Sequence, residues 1–235
     1  MPDARIQSDL CWRGFIGSRS AVMAGGCLIA LAVFLAYANS FHGPFIFDDP
    51  LCILHNKTIR SLLTGLFPPT GTGLTVSGRP MVNLSLAVNY ALSGTEVRGY
   101  HITNLCIHIM ATLALFGLVR RTLQQPRSAG RYSKNSATAL ACAIALIWGL
   151  HPLQTESVTY VIQRAESLAA LFYLLTLYCF VRYSDRQEAM GERREAEGRN
   201  DLASGFWLLT SVLCCLIGMA SKETMVSAPI IVFLY

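Results

Sequence analysis

Asp48 and Asp49 stand side by side in FHGPFIFDDPLCILHN, residues 41–56, just beyond a long apolar run. Adjacent carboxylates there could act as a general base with a supporting acid, or hold a divalent metal through their oxygens. The plain alternative is a solvated turn, which Asp-Pro favours. Arg79 and Arg164 each offer a guanidinium fork that matches phosphate oxygens. Lys222, at the end of another apolar run, adds a phosphate contact, and Glu166 could orient a sugar. Glu156 could do the same, or join Asp48 and Asp49 as a metal ligand. His101, Asn104 and His108 share one helical face, where they either line a cavity or hydrogen-bond neighbouring helices. If residues 151–166 form one helix, Glu156, Tyr160 and Gln163 share a face, with Arg164 two turns from Glu156. The structural alternative for Arg164 is a snorkelling ion pair with Glu166.

The elements that carry these residues read as membrane helices. The chain is 53% hydrophobic and only 14% charged, and its charges gather in short blocks between apolar runs. Ala21 to Phe41 and Tyr100 to Val119 are uncharged and long enough to span a bilayer core at about 1.5 Å per residue. The expected spans are 21–41, 100–119, 137–151, 165–183, 205–221 and an incomplete 226–235, so the chain reads as part of a longer protein. Arg13, Arg19 and the small residues Ala36 and Ala38 also resemble a signal peptide, but the first run is long for one. The eight cysteines show no zinc spacing, and most lie in apolar runs, where Cys behaves as a small hydrophobe.

Basic residues set the expected orientation. Arg120, Arg121, Arg127, Arg131 and Lys134 form one block, and residues 182–199 hold another. Placing both blocks and residues 1–20 in the cytoplasm satisfies the positive-inside rule. Residues 42–99 then form one large external loop. Within it, GRPMVNLSLAVNYALSG, residues 78–94, carries Met81, Leu84, Ala87, Val88, Ala91 and Leu92 at helical spacing, predicting an amphipathic helix at the outer interface. All the candidate site residues fall on that external side. Asn56-Lys57-Thr58 and Asn83-Leu84-Ser85 are glycosylation sequons, meaningful in a eukaryotic secretory pathway.

The ordered segments FDDP, SGRPMVNLSLAVNYALSG, GYHITNLCIHIMATLALFGLVRR, HPLQTESVTYVIQRAESLAALFYLLTLYCFVR and GMASKETMVSAPIIVFLY resemble the transmembrane and tetratricopeptide-repeat O-mannosyltransferases and their bacterial relatives, of the GT-C superfamily. The resemblance covers residues 20–235 and implies an all-α polytopic membrane protein, a GT-C-like module with a large first external loop. It implies that a sugar, mannose or a similar hexose, passes from a polyprenyl-phosphate donor to a protein hydroxyl. Asp48 would be the base, Arg79 and Arg164 would stabilise the leaving phosphate, and Glu156 and Glu166 would give acidic support. His101 and Lys222 complete the candidate donor site. The expected partners are the lipid-linked donor and a protein acceptor, with no nucleic acid. The membrane would be the bacterial inner membrane, or the endoplasmic reticulum in a eukaryote. The chain lacks the later spans and repeats of such proteins. Two other readings stand beside this one: a non-catalytic remnant or scaffold, and a transporter or flippase. The gathering of charge at helix ends rather than the midplane disfavours transport.

Overall fold

The computed structural model describes residues 4–70, 73–125, 131–194 and 202–234, with side chains over 19–70, 73–125, 131–189 and 205–234. Arg127, residues 195–201 and Tyr235, which belong to the expected cytoplasmic blocks and the last span, lie outside the described residues. Among the described residues there is no strand. The helices are α1 (Ala4–Tyr37), α2 (Leu62–Gly65), α3 (Pro80–Ser93), α4 (Val97–Leu123), α5 (Lys134–Gly149), α6 (Gln154–Thr159), α7 (Arg164–Arg194), α8 (Leu202–Met219) and α9 (Ser227–Leu234). Short single-turn helices connect several of them.

Three helical stretches are long and apolar enough to cross a membrane: Arg19–His42, Val97–Leu123 and Val161–Ala189. They overlap the expected spans 21–41, 100–119 and 165–183. The chain is an all-α polytopic membrane protein. α5, α8 and α9 are shorter and pack alongside: α4 lies against α5 and α7, α1 against α5 and α4, and α8 along α7. α4 and α5 approach closely because of Gly149, where an added Cβ would stand 2.8 Å from Thr112 Cγ2. At that contact His108 Nε2 meets the Gly149 carbonyl at 2.9 Å, and its ring lies near those of Tyr37 and Trp148. His108 is thus a tie between helices.

The segment expected as one helix over 151–166 is interrupted. α6 ends at Thr159, Tyr160 is extended (φ −88°, ψ 114°), and a single turn over Val161–Gln163 leads into α7. Such a break leaves backbone groups unpaired, and buried ones must find partners. Asn104 supplies them from α4: its amide nitrogen faces the carbonyls of Val161 at 3.2 Å and Val158 at 3.4 Å. Its oxygen accepts from Arg164 Nε at 2.7 Å. Arg164 is fully buried, and its other nitrogens donate to the carbonyls of Ser85 (3.2 Å) and Tyr100 (3.1 Å). One guanidinium therefore joins α3, α4 and α7, and Ser167 bonds back to the Ser157 carbonyl at 2.8 Å.

The interruption also places Glu156 and Arg164 on separate elements, which corrects the shared face expected for them. The Arg164–Glu166 pair does not form either, since Glu166 meets Lys222 instead. Arg164→Met would leave Asn104 and two carbonyls without donors. The expected loss is about 3 kcal/mol, read as a lower midpoint for thermal unfolding in detergent. Arg164→Lys should lose less, because one ammonium can still reach Asn104.

Candidate functional site

α1 finishes, and α4 and α7 begin, at one end of the bundle, the site end. Beyond α1 and a 3-10 turn over Ala38–His42, residues 43–46 lead into a turn closed by the Asp49 N–H on the Ile46 carbonyl at 2.9 Å, whose second residue, Phe47, has φ 46°. It is the one non-glycine residue with positive φ among the described residues, a sparsely populated conformation for a side-chain-bearing residue. Its ring, 83% exposed, lies edge-on to Tyr160 at 5.8 Å between centroids.

Beyond Phe47 the two aspartates part. Asp49 is fully buried: Oδ1 accepts from the Ile162 N–H at 2.9 Å and Oδ2 from the Ile46 N–H at 3.1 Å. It therefore caps the broken stretch ahead of α7 and closes its own turn, rather than sitting in a solvated one. Burial raises its pKa, and the backbone N–H donors pull it partly back. Asp48 is exposed. Its Oδ2 accepts from Thr75 Oγ1 at 2.8 Å, and its N–H donates to the Tyr160 hydroxyl at 3.1 Å. Burial, reinforced by the two aspartates, raises the Tyr160 pKa, so the phenol keeps its proton. Cys52, Ile53 and Val76, all fully buried, pack the Asp48 and Thr75 segments into one core.

A second cluster lies where α3 begins and α8 ends. The Met81 N–H donates to the Ala220 carbonyl at 3.1 Å, docking one end on the other. Arg79 meets Glu223 at 3.4 Å, and Lys222 pairs with Glu166. Arg79 Nε is buried without a hydrogen-bond partner among the described residues. The turn over residues 75–78 links the clusters, since Thr75 holds Asp48 and Arg79 follows it directly.

The remaining expected site residues are placed differently. His101 is buried, with Nε2 on the Gly43 carbonyl at 3.1 Å; since a carbonyl only accepts, Nε2 carries the proton. Nε2 is thereby committed to the backbone ahead of the aspartates rather than open to a phosphate. Arg164, with every nitrogen taken internally, is withdrawn from phosphate binding as well. Glu156 is exposed and bonded by Gln163 at 3.3 Å. Of the expected metal ligands Asp48, Asp49 and Glu156, Asp49 already accepts one backbone N–H at each oxygen. No three His, Cys, Asp or Glu side chains among the described residues converge to hold an ion. Sequence reading missed Thr75 altogether, as nothing local marks a hydroxyl 27 positions away as the partner of Asp48.

Both sequon asparagines are buried. Asn56 Nδ2 donates to Asn83 Oδ1 at 2.9 Å, and Asn83 Nδ2 donates to Thr58 Oγ1 and the Gly65 carbonyl, each at 2.9 Å. Their amide nitrogens are structural donors, not acceptors for a glycan.

The fold and its acidic end define a polytopic membrane protein with a carboxylate site at one helix-bundle face. Over most of its length the chain is TMTC-like. It is 30% identical over 211 residues to the Mus musculus protein O-mannosyl-transferase TMTC4, covering 83% of this chain and 27% of that protein. It is 29% identical to the Homo sapiens protein O-mannosyl-transferase TMTC1 over 231 residues, 90% of this chain and 24% of that one. It is 31% identical to the Drosophila melanogaster protein O-mannosyl-transferase Tmtc2 over 220 residues, 89% and 21%. The chain thus spans about a quarter of the length of the curated relatives it matches. No family model matches the sequence, and no solved structure does.

Two measurements follow from this geometry. An acid whose pKa is raised on folding binds its proton more tightly in the folded chain. Asp49 therefore draws stability down as pH rises from about 3.9, the ordinary Asp value, through its folded value. Thermal midpoints of Asp49→Asn, followed across that window, should lack this descent while lying lower overall, because one backbone N–H loses its acceptor. Expressed in a eukaryotic host, the chain should show no electrophoretic shift with endoglycosidase, as both sequon amides are enclosed.

Proposed function

We propose that this chain carries the reacting end of a membrane glycosyltransferase, which moves a hexose, mannose or a close analogue, from a polyprenyl-phosphate donor to a protein hydroxyl. The observation that carries the reading is Asp48. Its exposed carboxylate accepts from Thr75, its backbone N–H donates to the Tyr160 hydroxyl, and it lies directly beside a buried partner that fixes its backbone. The names of the similar proteins, all protein O-mannosyl-transferases, supply the reaction class.

In this reading Asp48 takes the proton of the acceptor hydroxyl as that oxygen attacks the anomeric carbon. The new C–O bond forms as the bond to the lipid phosphate breaks, with inversion, and the phosphate leaves with the electron pair. Negative charge grows on the leaving oxygens, where Arg79 and Lys222 stabilise it. Each is now paired with a carboxylate, Glu223 or Glu166, which keeps it extended at the site end until a phosphate competes. Glu156, exposed on α6, orients the sugar in this reading. Asp49, His101 and Arg164 position the segment and touch no substrate. The site end faces the periplasm if the chain is bacterial, or the lumen of the endoplasmic reticulum if it is eukaryotic.

Transfer from a polyprenyl-phosphate hexose to a Ser/Thr peptide tests this in a complete relative. The substitution equivalent to Asp48→Asn should lower turnover about 100-fold or more, whereas those equivalent to Arg79→Ala and Lys222→Ala should chiefly weaken donor use. Full turnover without the Asp48 carboxylate would remove it from the role of base.

A further inference from the structure

The segment RSLLTGLFPP, residues 60–69, turns its apolar side chains outward. Leu63 is 77% exposed and Phe67 74%, with Leu62 and Leu66 exposed beside them. A surface of that kind needs a non-aqueous partner. Where the segment sits decides which one.

It packs on α3, and α3 lies across the site end. One end of α3 is tied to the end of α8 through Met81 and Ala220. The other leads within four residues into α4, where the Tyr100 hydroxyl donates to the Gly94 carbonyl at 2.8 Å. With both ends fixed at helix ends of the bundle, α3 runs along the membrane boundary rather than through it. Its Leu84, Val88 and Leu92 form one i, i+4, i+8 stripe, with Val88 exposed and Leu92 79% exposed.

Gly65 joins the segment to that stripe. A Cβ there would stand 2.7 Å from the Ala87 Cβ and 3.5 Å from the Leu84 Cα, so only glycine lets the two backbones meet. Asn83 fixes the contact by donating to the Gly65 carbonyl. The apolar surface therefore continues from the stripe of α3 onto Leu62–Phe67, at the level where the spanning helices end. Polar anchors mark the other side: Arg60 lies over the Tyr90 ring at 4.1 Å and donates to the Leu54 carbonyl at 2.7 Å.

The geometry points to an in-plane membrane anchor: Leu62, Leu63, Leu66 and Phe67 insert, with Val88 and Leu92, into the leaflet at the site end. The partner is the acyl region of the lipid itself, continuous with the lipid-facing surface of the spans. The anchor fixes the height of the site above the bilayer. Ser77, in the turn that carries Thr75 and precedes Arg79, donates to the Pro69 carbonyl at 2.8 Å, so the inserted segment is coupled to the Asp48 contact. This inference is independent of the proposed transferase activity.

The test uses the chain reconstituted in phosphatidylcholine nanodiscs, with a benzophenone-bearing phenylalanine placed singly at Leu63 or Phe67. The spanning position Leu31 serves as lipid control and the exposed Lys57 as aqueous control. After illumination, intact mass and peptide mapping should show phosphatidylcholine adducts at Leu63 and Phe67 to within about twofold of the Leu31 yield, with none at Lys57. A protein cross-link at either position, or a yield no higher than at Lys57, would overturn the proposal. The first outcome would assign the surface to a second copy of the chain, the second to water.

Discussion

The break at Tyr160 is the constraint around which the site end is built. A helix that stopped and restarted there unaided would leave carbonyls and N–H groups stranded among packed helices, where each unpaired group costs on the order of 1–3 kcal/mol. Three side chains from separate elements prevent this. Asn104 takes the carbonyl side, Asp49 takes the Ile162 N–H, and Arg164 ties Asn104 to the backbones of α3 and α4. Among the described residues Arg164 pairs with no carboxylate, and its bonds go to Asn104 and two backbone carbonyls.

That arrangement explains how adjacent, chemically identical residues acquire different tasks. Phe47 takes up the left-handed conformation, and the chain direction changes so that Asp49 enters the core while Asp48 stays outside. The cost of the strained residue is borne by what surrounds it: the capping bonds of Asp49, the hold of His101 on Gly43, and the contact of Phe47 with Tyr160. An exposed carboxylate on such a fixed backbone is better placed for proton transfer than one on a free loop. The paired charges at Arg79 and Lys222 stand where α3 docks on the end of α8.

Much of the architecture was legible in the sequence because a bilayer imposes long uncharged runs, and three of those runs overlap the helices long and apolar enough to span it. The helix over 80–93 was legible too, from the spacing of its apolar residues. The break within 151–166 was not, since no proline or glycine interrupts QTESVTYVIQRAES. The interruption follows from partners more than 50 residues away in the chain, Asn104 and Asp49. Local propensity carries no trace of them.

The sequence by itself determined that this is a polytopic helical membrane protein whose sparse acidic and basic residues belong to the ends of its spans. It did so because charge cannot be spread through lipid-facing helices without large desolvation cost. Only the tertiary structure decided what each of those residues does. It buried Asp49 and Arg164 as structural groups, left Asp48 exposed on Thr75, gave Glu166 to Lys222, and enclosed both sequon asparagines. Residue type states which bonds a side chain can make; the packing of distant helices decides which of them are already taken.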